Sequence, residues 1–169
     1  MTEIMDCFNI PVYINPLVKA LNKITKKRSD SVLKDSIVTE NGLKNSVIQD
    51  GFAGVYRDEN YLRYKTYSKT YVLQLAEAKV WISSKNGLSI GDINTDTNNF
   101  DAMLEMIKAI AVNSGNSFIY FHVCKETSLH ELFENKFDCI PSFPVIFKNF
   151  NEKINIKKIK FTFADIDIF

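Results

Sequence analysis

The sequence predicts an α/β domain of the α+β kind, with a mixed, mostly antiparallel sheet flanked by helices. Three observations predict it. Three short β-type runs, residues 71–75, 79–83 and 88–93, follow one another, and Asn86-Gly87 supplies a hairpin turn between the last two. A single apolar stripe of helical period then joins Phe100, Met103, Leu104, Ile107, Ile110 and Ala111. After it, residues 117–123 form a nearly continuous apolar run, the pattern of a strand covered on both faces.

The elements follow in order. Asn15 and Pro16 read as the N-cap and first turn of a helix whose apolar face is Leu17, Ala20, Leu21 and Ile24. A polar break at residues 26–31 ends it, and a second amphipathic piece covers residues 31–37. Asn41-Gly42 and Asp50-Gly51 mark turns. Residues 1–55 are therefore expected to form a helical arm packed on a core domain of residues 56–169.

Within that domain Asn98 or Asn99 caps the long helix, Asp101 suits the positive end of its dipole, and Gly115 stands just past its end. Ser128 and Glu131 have capping-box spacing and open a short helix containing Leu129, Leu132 and Phe133, which Asn135 ends in the left-handed region. Residues 137–140, 145–150 and 159–163 read as late strands, the first two separated by Pro141 and Pro144.

Composition excludes several classes of function. Apolar residues make up 46% and charged residues 24% of the 169, enough to build a core. A net charge of +1 gives no long-range steering towards nucleic acid or anionic lipid, so neither is an expected partner. Cys7, Cys124 and Cys139 are far apart, with no CxxC pair and no Cys/His cluster, so no metal site is expected. The first residues have no basic n-region, and no apolar run reaches membrane length, which makes a cytoplasmic protein the expectation.

The element order and the motifs from Trp81 to residue 150 resemble the GNAT superfamily of acyl-coenzyme A N-acyltransferases. In that family a hairpin ends in a bulged strand, and a loop and helix then bind the cofactor pyrophosphate. Leu88-Ser-Ile-Gly-Asp-Ile93 looks like that strand. Leu132-Phe-Glu-Asn-Lys-Phe137 looks like a shortened form of the family's Leu-Tyr-x-x-x-Gly-Phe ending. Asp58-Glu-Asn-Tyr-Leu-Arg-Tyr64 and Phe161-Thr-Phe-Ala-Asp-Ile-Asp-Ile-Phe169 are similar to pieces of the C-terminal halves of two-domain bacterial GNAT-like proteins.

The resemblance implies acetyl-coenzyme A as cofactor, held by Ser89, Ile90, Gly91, Ile93, Asn98 and Asn99. It implies an N-acetyltransferase acting on an amine of a small molecule, sugar or peptide, with Asp92 or His122 helping to deprotonate the amine. It also leaves room for a catalytically inactive module that binds a protein partner or forms a homo-oligomer. Two departures bear on that choice. The family loop Q/R-x-x-G-x-G/A is here Asn94-Thr-Asp-Thr-Asn-Asn99, without glycine and with Asp92 and Asp96 beside a would-be phosphate. Phe133 stands near where many members keep a proton-donating Tyr.

Other residues have two readings each. His122 is a general base or a half-buried strand residue, and Cys124 at i+2 shares its side of the strand. His130 falls on a helix face expected to be solvated. Asp165 and Asp167 are a carboxylate pair or the wet side of a strand. The segment from Tyr56 to Tyr67, alternating aromatic and basic residues, is expected to anchor the arm on the core.

Overall fold

The computed structural model describes residues 2–13, 37–38, 42–65, 67–84, 87–146, 155–166 and 169. The chain is an α+β fold with a seven-stranded mixed sheet and, among the described residues, four helices. The strands are β1 (Thr2–Pro11), β2 (Ile37–Val38), β3 (Thr70–Leu75), β4 (Ala78–Ser83), β5 (Leu88–Asn94), β6 (Phe118–Cys124) and β7 (Cys139–Ile146). The helices are α1 (Ser46–Gln49), α2 (Glu59–Lys65), α3 (Phe100–Asn113) and α4 (Ser128–Glu134). The sheet order is β2-β3-β4-β5-β6-β1-β7, and β5 with β6 is the parallel pair.

The meander β3-β4-β5, the helix α3 and the interior strand β6 lie where the periodicities place them. Gly115, at φ 73, lets the chain leave α3. Its N–H donates to the carbonyl of Val112, and that of Asn116 to Ala111, closing a Schellman motif. α3 and α4 cover one face of the sheet, where Ile82, Ile90, Met103, Ile107, Phe121 and Phe133 are all fully buried. A smaller core on the opposite face holds Leu43, Val72, Trp81, Phe163, Ala164 and Phe169.

Three expectations are corrected. The first residues are a strand inside the sheet and not part of a helical arm: β1 runs antiparallel between β6 and β7, with Cys7 opposite His122 and Phe8 opposite Cys139. Further along, Ala53 bridges Ile159 and exchanges backbone hydrogen bonds with Lys158 and Lys160. Pro141 and Pro144 do not divide a strand in two. Both lie within β7, which the sheet tolerates because β7 is an edge strand. Residues 159–163 contribute isolated bridges and the start of a 3-10 turn, Phe163–Asp165, instead of a strand.

At α4 the N-cap is Thr127, whose hydroxyl accepts from the His130 N–H. Ser128 binds Asp50 instead, and Asn135 is right-handed at φ −67. The helix expected from Asn15 and most of the piece expected at residues 31–37 lie outside the described residues. No helix among the described residues is long and apolar enough to cross a membrane.

Candidate functional site

The sheet is irregular where β4, β5 and β6 meet. Trp81 pairs with Asp92 and Ile82 with Ile90, so a bulge leaves Gly91 unpaired on β5. β5 and β6 are in register for three pairs, from Leu88 opposite Ile119 to Ile90 opposite Phe121, and then part. Beyond that point both strands still run on, to Asn94 and Cys124, without pairing to each other, which leaves a gap between them.

Thr162 to Ile166, together with Phe169, fill the gap. Thr162 bridges Val123 of β6, and the turn Phe163–Asp165 packs against both β5 and β6. The Phe169 ring stands directly over Gly91, so close that a Cβ there would clash with it. Phe169 is itself held edge-on by Trp81 and by Phe163, at 5.7 and 5.6 Å.

Beneath this plug lies a buried ion network. The Arg57 guanidinium donates through Nη1 to Asp92 Oδ2 at 2.6 Å and through Nε to Asp165 Oδ1 at 2.9 Å. It also donates to Thr162 Oγ1 and to the carbonyl of Leu43. Asp92 further accepts from the backbone N–H of Ser46 and of Ile93, so both its oxygens are occupied. Asp165 accepts from Asn45 Nδ2 and from the Thr162 N–H. The Arg57 side chain is 1% exposed and the two carboxylates 0%.

Burial pushes the Asp92 carboxyl above its usual range, and Arg57 only partly offsets that. Burial alone lowers Arg57, but the attraction of Asp92 and Asp165 outweighs it and leaves the guanidinium held more firmly charged. A carboxylate so enclosed and committed has no oxygen to turn towards an incoming amine.

His122 belongs to a different constellation. Its Nε2 lies 3.7 Å from Cys7 Sγ and its Nδ1 2.9 Å from Ser142 Oγ, across β1 and β7. The ring packs on Phe163 at 4.4 Å and on Phe143 at 5.6 Å. Cys124, its neighbour at i+2, instead accepts the Phe161 N–H at 3.4 Å. Burial lowers the pKa of His122 and raises that of the Cys7 thiol, so both groups favour their neutral forms. A thiolate–imidazolium pair, the reactive form of a Cys–His dyad, is therefore disfavoured.

The His122 shift sets a pH dependence. From its ordinary value of 6.5 downwards, the unfolded chain takes up a proton that the folded chain refuses. Stability thus falls as pH drops from about 6.5 through the lower folded value. His122→Phe keeps the ring packing and is expected to flatten that part of the profile. Urea denaturation between about pH 5 and pH 8 measures it, and an unchanged slope would refute the assignment.

The residues expected to hold a cofactor are scattered in role. Ile90 and Ile93 are buried in the α3-side core, Ser89 is half-buried, and Gly91 lies under Phe169. Asn98 is exposed. Asn99 caps α3 without a side-chain cap bond of its own. Instead Asp96 Oδ1 accepts from both the backbone N–H and the Nδ2 of Asn99, each at 2.9 Å. A carboxylate thus already sits at the helix start where a phosphate would bind. Two clefts, of about 380 and 280 Å³, are lined by residues that include Phe143 and Ile166 in one and Lys44 and Tyr56 in the other. Neither is lined by Asp92, His122 or Gly91.

Two groupings carry no local signal in the sequence. Arg57 belongs to the segment expected to anchor the arm, whereas it is the counter-ion of the network. His130 is buried, with Nε2 2.8 Å from Asp6 Oδ2, and Cys139 Sγ approaches the same oxygen at 3.9 Å. Asp167 lies outside the described residues. No protein-family model, curated protein or solved structure matches the chain.

Proposed function

We propose that the chain is a non-catalytic, GNAT-like module that works by binding a partner chain. The GNAT-like part of this reading is supported by the succession β3-β4-β5-α3-β6-α4-β7, with a bulged β5 parting from a parallel β6. The observation that carries the non-catalytic part is the filled gap: Thr162, the Phe163–Asp165 turn and Phe169 occupy the space a thioester would need. Asp96 at the start of α3 acts in the same direction, because its charge repels a pyrophosphate.

A second reading is an acetyl-coenzyme A-dependent N-acetyltransferase acting on an amine. It is favoured by one feature, the parting of β5 from β6 beside a glycine, and it requires the plug to withdraw.

Titration with acetyl-coenzyme A separates the two. A ligand at a hundred times its Kd would stabilise the fold by about 2.7 kcal/mol. For a chain of this size that raises Tm by roughly 5–10 °C. We expect no concentration-dependent rise at millimolar cofactor, and no heat in calorimetry. A rise that follows ligand concentration would overturn the module reading in favour of the enzyme.

A further inference from the structure

We infer that Asp6, His130 and Cys139 form a binding site for a zinc-class divalent cation, independent of the β5–β6 gap and of the binding-module reading. The three donors come from β1, α4 and β7, and one ligand atom of each lies within 4.8 Å of the other two. They are a carboxylate oxygen, an imidazole nitrogen and a sulfur. That mixed set suits zinc or cobalt and is unsuited to magnesium or calcium, which prefer oxygen alone.

Two of the three donor spacings are close to what a tetrahedral ion needs, and the third, between His130 and Cys139, is within 4.8 Å. Zinc bond lengths of about 2.0–2.1 Å to nitrogen and oxygen and about 2.3 Å to sulfur separate donors by about 3.4 Å for N–O and about 3.6 Å for S–O. Without a cation His130 Nε2 and Asp6 Oδ2 are hydrogen-bonded at 2.8 Å, and Cys139 Sγ is 3.9 Å from that oxygen. Binding requires the first pair to open by about 0.6 Å and the second to close by about 0.3 Å, within side-chain reach.

The surroundings fit the same role. Glu134 Oε2 lies 3.5 Å from His130 Nδ1, on the far side of the ring. When it accepts the ring proton at Nδ1, it leaves the Nε2 lone pair free for the ion, the carboxylate–histidine–metal arrangement. Cys139 is half-buried, and Lys125 and Glu134 are exposed, so an entry path exists. With no cation present, burial first, and then the charges of Asp6 and Glu134, push the Cys139 thiol up. It enters as a thiol, and binding forms the metal–sulfur bond and releases that proton to water. Asp6 and the thiolate then balance the two positive charges, and a water completes the fourth position. Lys125 Nζ, 3.6 Å from Asp6 Oδ2, competes with the ion for the carboxylate and must swing out.

The test uses the whole chain, stripped of metal with a chelator and titrated with cobalt(II). We expect one cobalt per chain, a thiolate-to-cobalt charge-transfer band in the near ultraviolet, and displacement by zinc. Cys139 is only half-buried, so Cys139→Ala should fold, lose the band and weaken zinc binding at least about a hundredfold. Glu134→Gln should weaken zinc about tenfold. Lys125→Met, which removes the competing charge, should tighten it. No thiolate band in the native chain, or a band that survives Cys139→Ala, would overturn the site.

Discussion

Arg57→Met is expected to destabilise the fold by about 3–5 kcal/mol. The cause is not the loss of an attraction but what remains. Asp92 and Asp165, both fully enclosed, would face each other with no cation between them. Burying an uncompensated carboxylate is costly enough that one of them must take up a proton to stay inside.

The pH dependence follows from that. A carboxyl raised in the folded state, as Asp92 already is, contributes stability at low pH that is lost as pH rises through the folded value. In Arg57→Met this loss should steepen, leaving the variant least stable at neutral pH and partly restored on mild acidification. Arg57→Met combined with Asp92→Asn removes one of the two stranded charges and should recover part of the deficit. Urea denaturation of both variants at two pH values checks this. A single variant within about 1 kcal/mol of the native chain would show that the network is not what holds the plug in place.

Phe133→Ala is the second large effect, also about 3–5 kcal/mol. Phe133 is fully buried where α4 meets the sheet. It stacks on Phe121 at 4.2 Å and 18° and takes Phe100 edge-on at 5.0 Å, with Phe8 and Phe137 around it. Those rings sit on β1, β6, α3 and the residues after α4, so they cannot all collapse into the space left by a removed ring. Phe133→Leu keeps most of the volume and should cost markedly less. Thermal or urea unfolding measures both. Equal losses would mean that the site relaxes and that the cluster is not rigid.

How much of this could be read from the sequence depends on whether the signal is local. β3, β4, β5, α3 and β6 announce themselves by period, because each buries a face set by spacing alone. β1 does not. Lying inside the sheet, it buries Met5, Asp6, Cys7 and Phe8 in succession and so shows no alternation, and Asp6 and Asn9 give it the look of a polar segment. Its partners lie far along the chain, where no local pattern points.

The site shows the same limit. Asp92 at a strand end is visible, but that Arg57 and Asp165 converge on it is a property of the folded chain. His122 and Cys124 share a side, as the period of two requires, yet the thiol nearest the ring is Cys7 on the adjacent strand. His130 reads as an exposed helix residue because its neighbours Glu131 and Glu134 are charged, while β1 supplies the Asp6 that makes burial tolerable.

The placement of β1 also governs how the molecule assembles. Cys7 and His122, which face each other across the strand pair, are 115 residues apart in the chain, and Asp6 and Cys139 are 133 apart. During synthesis β1 must wait, unpaired, until both neighbours have been made. Closing loops of that length costs entropy before any contact returns it, which slows folding. Until then the meander and α3 can organise by themselves, while β1 presents two open, hydrogen-bond-hungry edges to any other nascent chain.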